Sequence, residues 1–352
     1  MRILVLPGDG IGPEIMSAAM AVLERVNTRD SLGLSFEYDD VGFPALAKHG
    51  STFPPGLQQK FPTFDGVILG PNQAADYPPK DQGGINFSAF TRTQYDLYAN
   101  IRPARTPPGV VAKGGNFDLI IVREVTEGHY SDRNMHLGHA EVMPDPDMVI
   151  SMRKVTRKAC ERIARRAFEL AMGRRKHLTP VHKANVLHLG DGLFLEAVEK
   201  VGEEFPEVTV EPVLIDAMCA HIVRRPEAFD VIVTGNMYGD ILSDLASELS
   251  GSLGLSGAIM AGDDLCAAQA QHGCAPDIAG QNRANPVSMI LSGAMLLDWM
   301  GTRHARDDLA RAGAAITAAT YGVLENPATR TADLGGTLGT DAFGAAVVAA
   351  LN

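Results

Sequence analysis

The segment from Thr234 to Leu255, TGNMYGDILSDLASELSGSLGL, carries the densest chemistry in the chain. Asp240 and Asp244 stand four residues apart, so in a helix both carboxylates share one face on successive turns. Two carboxylates with room for water suit Mg²⁺ or Mn²⁺, hard cations that take oxygen ligands. The same acids also suit a helix N-terminus, where no metal is needed. Asp216 in VLIDAMCAH, read as ending another strand, adds a third candidate metal ligand.

Three arginines form a second group. Arg92 and Arg102 flank TQYDLYANI, and Arg123 ends the strand DLIIVRE. A guanidinium grips a carboxylate through two parallel hydrogen bonds, so three of them at element ends can hold a di- or tricarboxylate. Each alone reads first as an ordinary surface ion-pair partner. Tyr130 in TEGHYSD and Lys183 in PVHKANVL, placed beside a strand start, are the candidate proton carriers. A lysine acts as a base where its pKa is lowered, and either residue also serves as a simple hydrogen-bonding group.

These residues need a scaffold, and the chain opens with one piece of it, LPGDGIGPE from Leu6 to Glu14. Gly8, Gly10 and Gly12 alternate, and Pro13 stands where G-x-G-x-x-G requires its last glycine, so the Rossmann fingerprint fails. Ile3 to Leu6 suits a buried strand, and Pro13 is tolerated in a first helical turn. Ile15, Ala18, Ala19, Val22, Leu23 and Val26 then recur on one helical face.

Further strand-like runs are GVILG at 66–70, DLIIVRE at 118–124, NVLHL at 185–189, VTVEPVLI at 208–215 and DVIVTGN at 230–236. Helical patterns cover about 153–172, 193–204, 240–249, 286–300, 304–325 and 339–351. Alternation of this kind predicts α/β architecture. NIRPARTPPG at 100–109 reads as a crossover between lobes and SGSLGLSGAIMAGDD at 250–264 as the return. The expected domains are 1–99 with 251–352, and 100–250, with a cleft between them.

Composition bounds the function. The 352 residues suggest about two domains, and 45% hydrophobic with 21% charged residues is the balance of a soluble globular protein. No apolar run approaches the roughly 18 residues of a membrane span, and Ile3 to Leu6 is too short for a signal peptide, so a cytoplasmic location is expected. Cys160, Cys219, Cys266 and Cys274 form no C-x-x-C pair and read as reduced thiols. A net charge of −11 opposes nucleic-acid binding, and the basic stretches at Arg162, Arg165, Arg166 and 174–176 read as solvated helix faces. His136 and His139 in NMHLGHAE lack a second pair at zinc spacing and are not read as a metal site.

In order along the chain, LPGDGIGPEI, NIRP, VREVTEGHY, HKANVL, DAMCAH, GNMYGDILSDLAS, and HGCAPDIAG with NP at 285–286 resemble the β-decarboxylating dehydrogenases of isocitrate, homoisocitrate, 3-isopropylmalate, D-malate and tartrate. GDILSD together with HG-x-AP-x-x-AG is the most specific part. The resemblance implies a two-lobed, isopropylmalate-dehydrogenase-like α/β fold with mixed sheets, distinct from a Rossmann fold. It implies NAD(P) held largely by the loop from His272 to Asn285, with Ile11, His272, Gly273, Cys274, Ala275, Asp277 and Asn285 as cofactor contacts. Arg92, Arg102 and Arg123 match the arginines that grip the malate part of the substrate. Asn86 and Ser88 lie in the segment that meets its C3 substituent.

Tyr130 matches the catalytic tyrosine. Lys183 and Asp216 match residues that one subunit lends to the other's site, and Asp240 and Asp244, with Asp216, match the ligands of the divalent metal. A homodimer with shared sites is therefore implied. So is the chemistry: Lys183 with Asp216 takes the C2 hydroxyl proton as hydride leaves for the nicotinamide, and Tyr130 protonates C3 after loss of CO₂. A silent regulatory subunit would lack one of these groups, and all are present.

Departures bear on the substrate and cofactor. Ile85 replaces a glutamate of isopropylmalate enzymes, and Ser88-Ala89 replaces their leucine pair. TEGHY, HKANVL and GLFL look closest to the homoisocitrate branch, so a polar or acidic C3 substituent is expected, with 3-isopropylmalate and D-malate or tartrate as the alternatives. Gln269-Ala270-Gln271 stands where the family's frequent E-P-V precedes His272-Gly273. Asp277-Ile278 stands where NADP-using relatives often carry lysine and tyrosine, so NAD is expected.

Overall fold

The computed structural model of the chain describes residues 1–130 and 140–351. Two compact units divide it, one of Met1–Thr91, Pro107–Val111 and Gly251–Asn352, the other of Arg92–Thr106 and Ala112–Ser250. The strands are β1 (Arg2–Leu6), β2 (Ser35–Tyr38), β3 (Gly66–Leu69), β4 (Ala99–Arg105), β5 (Asp118–Glu124), β6 (Glu141–Asp145), β7 (Met148–Ser151), β8 (His177–His182), β9 (Thr209–Val210), β10 (Val213–Leu214), β11 (Val231–Thr234), β12 (Ile259–Ala261) and β13 (Cys266–Gln269).

In the first unit the strands run β12-β13-β3-β1-β2, parallel except for the β12–β13 pair. Ile3–Leu6 and Val67–Leu69 are fully buried, which is why both read as unbroken apolar runs in sequence. The helix Gly12–Asp30 starts with Pro13 in its first turn and buries the face that its spacing marks. Val287–His304, Asp307–Glu325 and Thr340–Ala350 complete the helical cover.

In the second unit the order is β10-β8-β11-β5-β4, with β9 also on β8, and only β4–β5 is antiparallel. Leu119, Ile121 and Ile232 of the sheet meet Leu242 and Ala246 of the helix Asn236–Leu249 in one core. Thr156 caps the helix Arg157–Met172, its Oγ1 accepting from the Ala159 N–H at 3.3 Å. The two units are thus α/β with mixed sheets, unlike the parallel 3-2-1-4-5-6 order of a Rossmann fold. Among the described residues no helix is long and apolar enough to cross a membrane.

Three sequence readings are corrected. The crossover read over 100–109 is confined to its end: NIRPAR forms β4 of the second unit, and the chain passes to the first unit at Pro107–Val111. NVLHL is no strand: the Val186 and Leu187 N–H groups both donate to the Lys183 carbonyl, at 2.9 and 2.8 Å, in a turn leading to the helix Gly190–Gly202, and Val186 and Leu189 face outward. The sheet position is filled by β8 just upstream, so Lys183 follows a strand end. VTVEPVLI is broken at Pro212, which has no N–H to give a ladder, leaving β9 and β10. Its last residue starts the helix Ile215–Arg224, so Asp216 opens a helix and does not end a strand.

Candidate active site

β4 and β5 pair antiparallel with Asn100 opposite Arg123 and Arg102 opposite Ile121, which sets the two arginines diagonally on one sheet face. Arg102 therefore lies inside a strand, not at its end. Both are buried, at 8% and 3% exposure. The helix Asn236–Leu249 presents its carboxylates to them. Arg102 Nη1 reaches Asp240 Oδ1 at 3.3 Å, Asp244 Oδ1 at 3.4 Å and Ser243 Oγ at 2.7 Å. Arg123 Nη1 pairs closely with Asp240.

The other edge of Arg123 is held by an amide. Its Nε and Nη2 donate to Asn236 Oδ1 at 3.1 and 2.6 Å, and Asn236 Nδ2 donates to the Glu127 carbonyl at 2.9 Å. A carbonyl only accepts, so that last bond fixes which way the Asn236 amide points. Gly239 makes room for the arrangement: a Cβ there would lie 2.6 Å from Arg123 Cγ. Burial, then the neighbouring Arg102 charge, brings Arg123 down to about 10, which leaves it protonated at neutral pH. Arg102 Nε is buried without a partner among the described residues. Tyr130, half-buried beyond β5, lies within electrostatic reach of Arg123, and Arg92 sits in the last turn of the helix Phe87–Gln94.

Lys183 stands apart from that cluster and faces Asp216, Nζ to Oδ1 at 2.6 Å, which holds the Asp216 carboxyl below its usual range. Its backbone N–H is gripped by Asp191 Oδ2 at 2.5 Å, and Asp191 is buried and paired to Arg153 at 2.5 Å. No group of three His, Cys, Asp or Glu side chains is brought together to hold a metal among the described residues. Asp240 and Asp244, with side chains 40% and 56% exposed, supply the paired hard-oxygen donors that a small divalent cation takes. His136 and His139 lie outside the described residues.

In the first unit, the opening glycines serve close backbone approach. Gly10, at φ +59°, lies where a Cβ would stand 2.0 Å from the Cys274 carbonyl, and the Ile11 N–H donates to that carbonyl at 2.8 Å. Ile11 itself is buried. Gly273 and Ala275 flank Cys274, Ala275 in the left-handed region at φ +35°. Asp277 is exposed in a short 3₁₀ turn. Burial holds the His272 ring below the ordinary histidine pKa; Nδ1 meets the Gly273 carbonyl at 2.9 Å, and Nε2 is buried without a partner among the described residues. That unmet acceptor is a fit for a ligand that brings a donor, as an adenine amine does.

The isocitrate/isopropylmalate dehydrogenase family model matches residues 2–347. The chain belongs to that family. An isocitrate/homoisocitrate dehydrogenase of Thermus thermophilus is 41% identical, over 99% of this chain and 98% of the relative. A 3-isopropylmalate dehydrogenase of Sulfurisphaera tokodaii is 39% identical over 96% of each. The crystal structure of isocitrate dehydrogenase from Methylococcus capsulatus superposes with a TM-score of 0.87 at 35% identity, covering 99% of both chains. As a member of the isocitrate/isopropylmalate dehydrogenase family the protein is an oxidoreductase, with the mixed α/β fold of that family.

Within this family member, several partners escaped sequence reasoning. Asn236, Ser243 and Asp191 are polar residues in helices with no distinguishing spacing, and only the fold shows what they hold. Asn86 and Ser88 are engaged internally: Asn86 Oδ1 accepts from the Ala89 N–H at 3.0 Å, and Ser88 Oγ accepts from Asn72 and Gln269. Asn285 likewise accepts from the Val287 N–H and donates to Asp333.

Proposed function

We propose that the protein catalyses NAD-dependent, divalent-metal-dependent oxidative decarboxylation of a (2R)-2-hydroxy acid with a 3-carboxylate, a malate bearing a polar or acidic substituent at C3. The observation that carries this is the interleaving of two buried guanidiniums with two half-exposed carboxylates at Arg102, Arg123, Asp240 and Asp244. Their formal charges cancel. An anionic substrate entering with a divalent cation leaves that balance nearly unchanged, and the carboxylates exchange arginine partners for the cation while the arginines gain substrate oxygens.

When bound, the cation supplies Lewis acidity and NAD a hydride acceptor. Arg102 and Arg123, with Arg92, orient the malate carboxylates. Lys183, steered by Asp216, accepts the C2 hydroxyl proton, and Tyr130 returns a proton to C3 after CO₂ departs. Because Lys183 and Asp216 form their own pair away from Asp240 and Asp244, the reading includes a homodimer in which each subunit lends this pair to the other. The exposed Asp277 carboxylate suits a ribose hydroxyl better than a 2′-phosphate, which favours NAD over NADP.

A turnover screen of 3-substituted malates with NAD and NADP, with and without excess chelator, tests the reading. Expected is NAD reduction with isocitrate or homoisocitrate that chelator abolishes; full turnover in chelator, or a preference for 3-isopropylmalate, overturns it. Mixing inactive Lys183→Ala and Asp240→Asn proteins should restore activity once subunits exchange. No recovery after proven exchange overturns the shared site.

A further inference from the structure

The β8 ladder ends at His182, which pairs with Leu214 of β10, so the next N–H in the chain, that of Lys183, lies past the strand. It donates to Asp191 Oδ2 at 2.5 Å. The Lys183 carbonyl accepts from Val186 and Leu187, and the Ala184 N–H is taken by His182 Nδ1 at 3.1 Å. Both backbone polar groups of Lys183 are thus engaged, which fixes where its side chain starts. Asp216, 2.6 Å from Nζ, fixes where it ends.

Asp191 can hold that N–H because it is held itself. It stands in the first turn of the helix Gly190–Gly202, with its own N–H on the Leu187 carbonyl at 3.0 Å and its carboxylate buried against Arg153, Nη1 to Oδ1 at 2.5 Å. Gly190 leaves room for the contact, since a Cβ there would lie 3.3 Å from Arg153 Nη1. Arg153 in turn sits on fixed backbone. Its neighbour Lys154 exchanges both main-chain hydrogen bonds with Gly128, at 2.9 and 3.1 Å, and Glu127 accepts from the Thr156 N–H and Oγ1 at 2.8 and 2.7 Å. The guanidinium also lies over the Tyr238 ring, 5.7 Å from its centre. One carboxylate oxygen therefore faces Arg153 and the other faces Lys183. A buried ion pair often adds no more to folding than apolar residues of the same volume, so stability alone does not account for this one.

We propose that Asp191, fixed by Arg153, is the positioning residue for the Lys183 base: it sets the backbone from which the amine reaches the substrate hydroxyl. It acts through Lys183. The inference rests on the proton-accepting part given to Lys183 above and adds the group that aims it.

Steady-state kinetics decide it, with NAD and whichever of isocitrate and homoisocitrate the wild type turns over, each also deuterated at C2. Asp191→Leu should lower kcat about ten- to a hundred-fold while both KM values stay within about threefold, because a misplaced base slows the reaction and not binding. Deuterium should slow the variant at least as strongly as it slows wild type, since hydride transfer is then the slow step. In a Lys183→Ala background Asp191→Leu should change kcat by less than about twofold, there being no amine left to aim. Arg153→Met with Asp191→Leu removes both charges and strands neither, so it stands in if Asp191→Leu alone does not fold, and it should show the same kcat loss. A loss carried by KM, a weakened isotope effect, or an undiminished fall in kcat in the Lys183→Ala background overturns the inference. A wild type that turns over neither substrate, or a Lys183→Ala enzyme with undiminished kcat, overturns the functional reading instead.

Discussion

Arg123 with Asp240 and Lys183 with Asp216 are both cation–carboxylate pairs of the same unit, yet they live in opposite environments. Arg123 is 3% exposed and clasped on its second edge by Asn236, whereas the Lys183 and Asp216 side chains are 26% and 65% exposed. The first pair is set by a sheet, a helix and a glycine that lets one slide against the other. The second joins a residue just past a strand to the first turn of a helix, through two side chains that water can separate. A buried ion pair is costly to break because it strands a charge, while an exposed pair contributes little to folding. The pair with the buried guanidinium therefore bears on folding as well as on the proposed site, and the exposed one is free to take the purely chemical part proposed for it.

The contrast is open to attack from its heavier side first. Asp240→Ala leaves the Arg123 guanidinium buried beside a neutral amide, and the unfolding free energy should fall by about 2–4 kcal/mol in urea titrations. A loss under about 1 kcal/mol would show that the cluster is not structural. Asn236→Asp should cost about 1 kcal/mol, because the Glu127 carbonyl loses its donor. It should also raise KM for a dicarboxylate about tenfold by neutralising Arg123 from its second edge. An unchanged KM would mean that the amide's neutrality is immaterial.

On the lighter side, Lys183→Ala should leave the urea midpoint where it is while kcat drops about 10²- to 10⁴-fold. A shifted midpoint would erase the distinction between the pairs. The smallest effect is acid titration of Asp216. Its folded pKa is depressed, so its contribution is present above the unfolded value of about 3.9 and is lost as pH falls through the lower folded value. Thermal midpoints of Asp216→Asn and wild type should keep a constant small offset from pH 5 to 7 and converge only below about pH 4.

The strands that are buried on both faces were readable because nothing polar interrupts them, as in Ile3–Leu6 and Val231–Val233. NVLHL misled for the same reason: five residues of strand-like composition say nothing about whether the sheet already has a strand at that place. Residue types around the site were readable too, since Asp240 and Asp244 need only helical spacing to share a face. What holds Arg123 was not, because Asn236 and Gly239 act through contacts with a strand more than a hundred positions earlier. Asn86 and Asn285 show the converse. Their side chains accept from N–H groups two or three residues ahead, an ordinary use of asparagine before a helix that a search for ligand contacts overlooks.

The pairing of β13 with β3 has a consequence for how the chain is made. From Leu69 to Cys266 lie about 200 residues, which a ribosome needs roughly 10–40 s to add. Throughout that interval the edge of β3 that Ala267–Gln269 will cover has no partner from its own sheet, and the Gly10 turn has no Cys274 carbonyl to close upon. The second unit, almost all of it one continuous stretch ending at Ser250, is complete before the first can be. Newborn chains thus carry an open, fully apolar strand edge during elongation, the kind of surface that recruits wrong partners, and slowing synthesis after Leu69 should raise the aggregated fraction more than slowing it after Gln269.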